Sequence, residues 1–290
     1  MFRIFAILLL LAAPLMAAAQ QTSDGSTAGV PASDEPVANP GRPTVSTPAT
    51  LTPVGFLQFE TGYMHATDSP EFSSQSNLNE VVKFSVSPRL ELLVADGPFA
   101  HSRVQGQPSN GTGGIALGAQ GVVYNGEGAR PTFALSYFHE VYNGNTPDLD
   151  IGSAKDSALL LLSADVRGFH FDTNFLFNEV LLDQVPATVR RAQFGQTLSI
   201  SHPLAGKFGL SGEIWRFTQP FRQSNAIGNL WAVNYNWKKN LVLDAGFDRG
   251  LTNTSTQWEV FTGFTYLLPH KLLPHKALPQ KLLTQALPTH

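Results

Sequence analysis

The sequence contains no cysteine among its 290 residues, and only 14% of them are Asp, Glu, Lys or Arg. The absence of cysteine excludes disulfides, thiolate metal sites and a lipid-anchored cysteine. The formal net charge of −3 gives no indication of a nucleic-acid partner. After its N-terminal segment the chain also lacks an apolar run of the roughly 20 residues that a membrane-spanning helix requires.

The N-terminus carries the features of an export signal. Residues 1–19 combine the basic Arg3, an apolar run from about Ile4 to Met16 and a series of alanines that ends at Ala19. This order predicts a signal peptide cut after Ala19, and an uncleaved anchor helix is the alternative. Residues 20–50 are rich in Ser, Thr, Pro, Gly and Ala, and this composition predicts a flexible leader. Whether the leader folds into the lumen as a plug stays open at this point.

Between Gly55 and about Leu268 the sequence changes to short segments of period-two alternation separated by turn residues. Most of these segments are near the 9–11 residues that a tilted membrane strand requires, which is about the thickness of the hydrocarbon core. The pattern predicts twelve strands: 55–67, 77–86, 89–97, 113–124, 130–141, 156–167, 169–181, 190–202, 207–218, 228–238, 241–251 and 257–268.

The connections between these predicted strands alternate between long and short nearly throughout. Long segments such as 98–112 and 142–155 alternate with connections as brief as Gly168 or Lys239-Asn240. Up-and-down outer-membrane barrels have short turns at one end and longer loops at the other. A sandwich with Greek-key crossings has no reason to alternate in this way.

The two faces of the predicted strands differ in chemistry. In FHFDTNFLF, residues 169–177, four phenylalanines share one face and His170, Asp172 and Asn174 share the other. A soluble barrel would need an outer surface that is about a quarter to a third charged, and this chain has too few charges. The fold class is therefore predicted to be all-β, a single transmembrane up-and-down antiparallel barrel over 51–268. Trp and Tyr residues near the ends of the predicted strands are typical of the aromatic girdles at membrane–water interfaces, although Trp215 falls in mid-strand.

Three segments, 44–63, 79–96 and 241–268, resemble a family of outer-membrane β-barrels named as transporters of the meta pathway of phenol degradation. The first-strand motif of that family corresponds here to Gly55, Glu60 and Gly62. The motif before its last strand corresponds to Asp244, Gly246, Gly250, Leu251 and Thr252. The resemblance implies passage of small molecules, aromatic or hydrophobic ones among them. Residues 269–290 depart from the family, since they form a proline-rich quasi-repeat that predicts a low-complexity tail.

The sequence predicts no catalytic site, no metal site and no cofactor. Ser201 and His202 precede Pro203 at a predicted tight turn, which favours turn chemistry over a nucleophile pair. Ser136 and His139 have opposite parity on one strand and therefore point to opposite faces. The expected partners are outer-membrane lipid, a small-molecule solute and the barrel-assembly machinery of a Gram-negative cell, with no nucleic acid.

Ionisable residues on the polar faces are the candidate lumen lining. They are Glu60, Lys83, Arg89, Glu91, Asp165, Asp172, Glu213, Asp244 and Glu259. Two readings stay open: a salt-bridged ladder that holds the wall, or a permeation lining whose acidic excess favours neutral or cationic solutes. The leading hypothesis is an outer-membrane channel or transporter. The alternatives are a structural or adhesive surface barrel with a plugged lumen, and a soluble exported binding barrel.

Overall fold

The structure, a computed structural model, describes residues 36–147, 154–180, 192–219 and 224–273. All of these residues belong to the compact unit that begins at Pro36. The predicted signal peptide, the first part of the predicted leader and the tail from 274 onward lie outside the described residues. Within the described ranges, no helix has the length and apolar character needed to cross a bilayer.

The described residues form thirteen β-strands. They are β1 Leu57–Thr67, β2 Ser74–Ser87, β3 Leu90–Val104, β4 Gln107–Gly111, β5 Ile115–Tyr124, β6 Thr132–Tyr142, β7 Ala154–Val166, β8 Phe169–Val180, β9 Ala192–Pro203, β10 Phe208–Phe217, β11 Ala226–Lys238, β12 Leu241–Gly250 and β13 Trp258–Leu267. Twelve of these strands, all except β4, correspond to the twelve predicted strands.

The twelve strands close into one antiparallel barrel. Each strand pairs with its neighbours in the chain, and β1 pairs with both β2 and β13, which joins the two ends of the sheet. Closure leaves no exposed sheet edge along the wall. The predicted fold class, an up-and-down barrel of about twelve strands, is confirmed.

The predicted long loop 98–112 is wrong in its secondary structure. β3 continues through it to Val104, turns at Gln105 and Gly106, and pairs with β4 as a hairpin at the end of the barrel that holds the longer connections. Both turn residues have positive φ, of 50° and 80°, as two-residue hairpin turns require. Glutamine rarely adopts this conformation, so the turn carries a weak signal in the sequence.

The barrel has two unlike rims. Brief turns, including Arg167-Gly168 and Lys239-Asn240, join strands at one end, which also holds the start of β1 and the end of β13. We call this end the short-turn rim. The longer connections, among them the described loops 68–73 and 251–257, lie at the opposite end, the long-loop rim. The predicted alternation of connection lengths is therefore present in the structure.

Phenyl rings cover the outer face and polar side chains cover the inner face. Phe169, Phe175 and Phe177 are 43–46% exposed, whereas Asp172 and Asn174 are buried on the other face of the same strand. Trp215 is the exception that the strand pattern indicated. It points inward with 2% exposure, and its Nε1 donates a hydrogen bond to Asp248 Oδ2 at 2.5 Å.

Residues 36–56 lie inside the barrel, and we call them the plug segment. The segment enters at the short-turn rim, where Ala38 N donates to Lys239 O at 2.8 Å. It returns to the same rim, where Gly55 N donates to Ser85 O at 2.8 Å. Over 36–50 the structure thus differs from the predicted flexible leader, because the polar groups of this segment bond to the barrel wall rather than to water.

Candidate functional site

The plug segment follows the inner wall through a full circuit. Its hydrogen-bond partners succeed one another around the barrel from β1 and β12 through β10, β8 and β7 to β3. In chain order of the plug these partners are Gln58, Glu60, Asp244, Glu213, Asn174, Ser163 and Glu91. Since one chain segment reaches all of these side chains, they all point into the lumen.

Arg42 is the cationic anchor of the plug segment. Its Nη2 lies 3.0 Å from Asp244 Oδ1 and its Nε lies 3.2 Å from Asp244 Oδ2, a bidentate arrangement. The guanidinium rests on Gly62 and Gly263, which pair across β1 and β13. A Cβ at Gly62 would lie 2.1 Å from Arg42 Nη1, so only glycine leaves room for this contact.

Glu213 holds the middle of the plug segment. Its carboxylate is 5% exposed and accepts hydrogen bonds from Val45 N at 2.6 Å and Ser46 N at 2.7 Å. Ser46 Oγ donates to the same carboxylate at 2.5 Å and lies 2.7 Å from Thr197 Oγ1. Successive backbone N–H groups thus satisfy a buried charge that would otherwise be costly.

Glu60 and Glu91 fix the two ends of the circuit. Glu60 Oε1 accepts from Gly41 N at 2.9 Å and forms an ion pair with Lys83 Nζ at 2.7 Å. Glu91 Oε1 accepts from Thr52 N at 2.9 Å near the point where the plug segment leaves the lumen. Each carboxylate therefore combines a wall position with a bond to the plug backbone.

Asn174 and Ser163 complete the circuit along β8 and β7. The Asn174 amide accepts from Thr47 N at 2.6 Å and donates to Thr47 O at 2.9 Å. Ser163 Oγ accepts from Ala49 N at 2.7 Å and donates to Asp172 Oδ1 at 2.5 Å. Neutral side chains thus bond both the N–H and C=O groups of the plug backbone.

The plug segment separates two lumen cavities. A cavity of about 390 Å³ opens toward the short-turn rim and is lined by polar groups that include Asp165, His170 and Asn234. A cavity of about 200 Å³ lies deeper along the wall and is lined in part by Ser136 and Phe138. Arg42 and Thr44 line both cavities, so the plug forms the partition between them.

His170 connects two acidic groups at the larger cavity. Its Nδ1 lies 2.7 Å from Asp165 Oδ1, and its Nε2 lies 3.2 Å from Asp172. Both carboxylates belong to the predicted lining, and β7 and β8 bring them together beside the Arg167-Gly168 turn. The arrangement presents hydrogen-bonding and acidic groups to the cavity.

The structure brings together most of the predicted lining residues, but not all of them. Glu60, Lys83, Glu91, Asp172, Glu213 and Asp244 are buried in the lumen. Glu259 lies on the inner row of β13 toward the long-loop rim. Arg89 differs from the prediction, because it lies exposed in the turn between β2 and β3 rather than on a wall strand.

Only some of the motif residues of the sequence resemblance lie beside the plug segment. Gly55, Gly62 and Asp244 contact or form it, and Gly246 lies on the inner row of β12. Gly250 ends β12, and Thr252 Oγ1 hydrogen-bonds Ser255 Oγ at 2.7 Å in the loop that begins at Leu251. Arg42 and Ser46 are the functional residues that sequence reasoning missed, since no local pattern marks a partner inside a barrel.

The side chains considered for catalysis are dispersed. Ser136 is buried inside the barrel, while His139 lies on the outer face with its Nδ1 2.9 Å from Asp156 Oδ1. Ser201 and His202 lie within β9 rather than in the turn after it. In the described ranges no three His, Cys, Asp or Glu side chains are grouped closely enough to hold a metal ion.

The fold is shared with solved outer-membrane proteins. An outer membrane channel from Pseudomonas putida F1 matches with a TM-score of 0.55 and 13% identity, covering 79% of this chain and 99% of that chain. The NanC porin matches with a TM-score of 0.51 and 10% identity, covering 73% of this chain and 100% of that chain. These identities show the likeness of the fold alone.

No protein-family model and no curated protein matches the sequence. The fold class therefore stands on the barrel itself and on its likeness to channels and porins. Membership of the meta-pathway transporter family stays a prediction.

We predict that Gly62→Ala loosens the plug segment, because the new methyl group must push Arg42 off Asp244. The chain has no cysteine, so Thr47→Cys introduces a single thiol on the plug. Because the Arg42–Asp244 contact is charge-assisted, its loss should raise the rate at which a charged maleimide labels this thiol about tenfold or more.

Gly121→Ala is the matched control, since a Cβ there would meet only Arg89 O at 3.8 Å. Equal labelling rates in the two alanine variants would show that the Gly62 seat does not hold the plug.

Proposed function

We propose that this protein is an outer-membrane channel for small molecules, in which the plug segment controls passage. The observation that carries the proposal is the partition of the lumen, with cavities of about 390 and 200 Å³ on the two sides of Arg42 and Thr44. A barrel with room on both sides of a hydrogen-bonded, non-covalent partition can conduct when that partition moves. Its likeness in fold to outer-membrane channels supports this function.

The outer face supports a membrane location. Phe175, Trp231 and Val260 are 46–52% exposed on outward rows of three different strands. Lipid favours such rows, whereas exposure of a phenyl ring to water forfeits roughly 1.5–3 kcal/mol of burial energy. A soluble exported barrel would require these rings inside, and they lie outside.

The inner face supports neutral or cationic solutes. Glu91 and Glu213 are buried carboxylates that accept hydrogen bonds from the plug, and Asp165 and Asp172 line the larger cavity or its wall. Negative side chains around a narrow lumen raise the local concentration of cations and lower that of anions. The sequence resemblance to meta-pathway transporters adds small aromatic molecules, which are neutral or weakly polar, to the candidate solutes.

A second candidate function is a structural or adhesive surface barrel with a permanently plugged lumen. The observation that favours it is the full circuit of hydrogen bonds between plug segment and wall. The β3–β4 hairpin would then provide a surface for contacts at the long-loop rim. Mobility of the plug segment decides between the two functions.

We predict that the double variant Ser46→Cys/Thr197→Cys locks the channel when it is oxidised. The two hydroxyl oxygens lie 2.7 Å apart, so the replacing sulfur atoms can reach bonding distance. In a liposome-swelling assay with phenolics and sugars, the oxidised variant should admit no solute, and reductant should restore flux.

The single variants Ser46→Cys and Thr197→Cys are the controls, and their flux should not respond to reductant. Equal flux through the oxidised and reduced double variant would mean that solutes do not need plug movement. Absence of flux in every form, wild type included, would favour the permanently plugged barrel.

We predict that Asp165→Asn/Asp172→Asn lowers the cation preference of the channel. Both carboxylates lie at the larger cavity, and their removal leaves that lining without negative charge from β7 and β8. The reversal potential under a salt gradient in a planar bilayer should shift toward zero. The control Asp156→Asn/Glu179→Gln removes two carboxylates from the outer face of the same strands and should leave the potential unchanged.

We predict that Phe175→Lys destabilises the barrel in lipid vesicles more than Phe169→Lys does. The two rings lie on the same face of β8 with similar exposure, but Phe169 is at the short-turn rim and Phe175 near mid-strand. A base near the bilayer midplane costs about 2–4 kcal/mol, against about 0–1 kcal/mol near the interface. Denaturant unfolding measures the stability of both variants, and equal losses of unfolding free energy would contradict the membrane assignment.

A further inference from the structure

Charged residues are distributed unequally over the outer face of the barrel. In the described residues, the outward carboxylates lie on β2, β3, β7 and β8, as Glu80, Asp96, Asp156 and Glu179. The outward rows of β9–β13 and β1 include no Asp or Glu within the described ranges. These six strands form a second arc of the wall, opposite the arc with the carboxylates, and their outward rows carry Arg216 on β10 and Arg249 on β12.

The two arginines lie at the same rim of the barrel. Arg216 is the penultimate residue of β10, next to the inward Trp215 and Phe217, and Arg249 is the penultimate residue of β12. Both are therefore at the long-loop rim. They flank β11, on which Ile227 pairs with Arg216 and Asn229 pairs with Arg249.

Strand spacing sets the separation of the two arginines. Neighbouring strands lie about 4.8 Å apart, so β10 and β12 are roughly 10 Å apart. The β11 partners of the two arginines are two residues apart, which adds about 7 Å along the strand, and the Arg249 guanidinium lies over Trp258 of β13. When the Arg249 side chain turns toward β11, two long arginine side chains on the same face can span this distance around one phosphorylated group.

Local contacts hold each guanidinium at the rim. Arg249 lies with its Cζ 4.7 Å from the ring centre of Trp258, and its Nη1 donates to Gln257 Oε1 at 3.0 Å. With its amide oxygen turned toward Arg216, Asn225 accepts from Arg216 Nη2 at 2.9 Å. Each arginine is thus anchored by a neutral neighbour, which leaves its positive charge uncompensated by these contacts.

We propose that Arg216 and Arg249 form a binding site for the phosphate of a phosphorylated glycolipid in the outer leaflet. The inference rests on the membrane orientation of the proposed function, since the long loops of such barrels face outward. Guanidinium groups bind phosphate through a planar fork of donors, and Trp258 suits the headgroup level. The carboxylates of the opposite arc would repel the same phosphate, so the lipid should bind on one side of the barrel.

The test compares the folded full chain in detergent with two matched double variants. Arg216→Gln/Arg249→Gln removes the proposed site, and Lys207→Gln/Lys238→Gln removes two charges from the short-turn rim. The probes are bisphosphorylated lipid A, the same glycolipid without phosphates, and inorganic phosphate. Binding is measured by native mass spectrometry, after heat-modifiable migration has shown that each variant is folded.

We expect Arg216→Gln/Arg249→Gln to bind bisphosphorylated lipid A about tenfold to a hundredfold more weakly than wild type. We expect Lys207→Gln/Lys238→Gln to bind it as wild type does. Dephosphorylated lipid A should bind weakly and equally to all three proteins. Arg216→Lys/Arg249→Lys should bind with intermediate affinity, because it keeps the charge and loses the fork.

Equal affinity of wild type and the arginine variant for bisphosphorylated lipid A would overturn the proposal, as would an equal loss in the lysine variant. Inorganic phosphate that displaces lipid A at millimolar concentration would show a site for free phosphate instead of a lipid site. A chain that binds lipid A as expected but conducts no solute would uphold this inference and overturn the channel function alone.

Discussion

Buried carboxylates inside the barrel require hydrogen-bond donors, and the plug segment supplies them. Glu60, Glu91, Glu213 and Asp244 are each no more than 5% exposed. A buried charge without partners costs far more than one hydrogen bond contributes, so an empty lumen would have to hydrate these groups. Backbone N–H groups and the Arg42 guanidinium meet that requirement at four points around the wall. Wall and plug therefore form one hydrogen-bonded system. Glu60 also has a wall partner in Lys83, whereas Glu213 receives its hydrogen bonds from the plug segment.

The sequence predicted the barrel because its signals are local. Period-two alternation identified twelve strands, and the alternation of long and short connections identified the up-and-down order. The path of residues 36–50 through the lumen has no such local signal in the sequence. Val45 and Glu213 are separated by 168 residues, and no pattern near Val45 announces a partner so far along the chain. The composition of the plug segment predicts how it behaves in water. Inside the closed barrel the same segment meets a wall lined with hydrogen-bond acceptors.

Of the candidate site, the sequence indicated the inward face of several carboxylates but gave no sign of their partners in the plug segment. Parity alone placed residues such as Asp172 and Glu213 on the inner face, and the structure places them there. Neither a wall ladder nor a bare permeation lining describes Glu213, whose partners are plug N–H groups. Trp215 shows the same limit, because its parity with Glu213 assigns it to the inner face but does not indicate its bond to Asp248. Periodicity assigns a face but does not reveal what occupies the space beyond it.

The path of the plug segment restricts how it could leave the lumen. Ala38 and Gly55 both bond to the short-turn rim, so the segment enters and leaves through the same opening. Retraction toward that rim requires no threading of the chain through the barrel. At the Gly55 end the segment continues directly into β1, whereas among the described residues its N-terminal end is held by the bonds of residues 36–42. Separation would therefore begin with the bonds of Ala38, Asn39 and Gly41, reach the Arg42–Asp244 pair and proceed toward Glu213. The larger cavity beside Arg42 and Thr44 has volume for the displaced backbone.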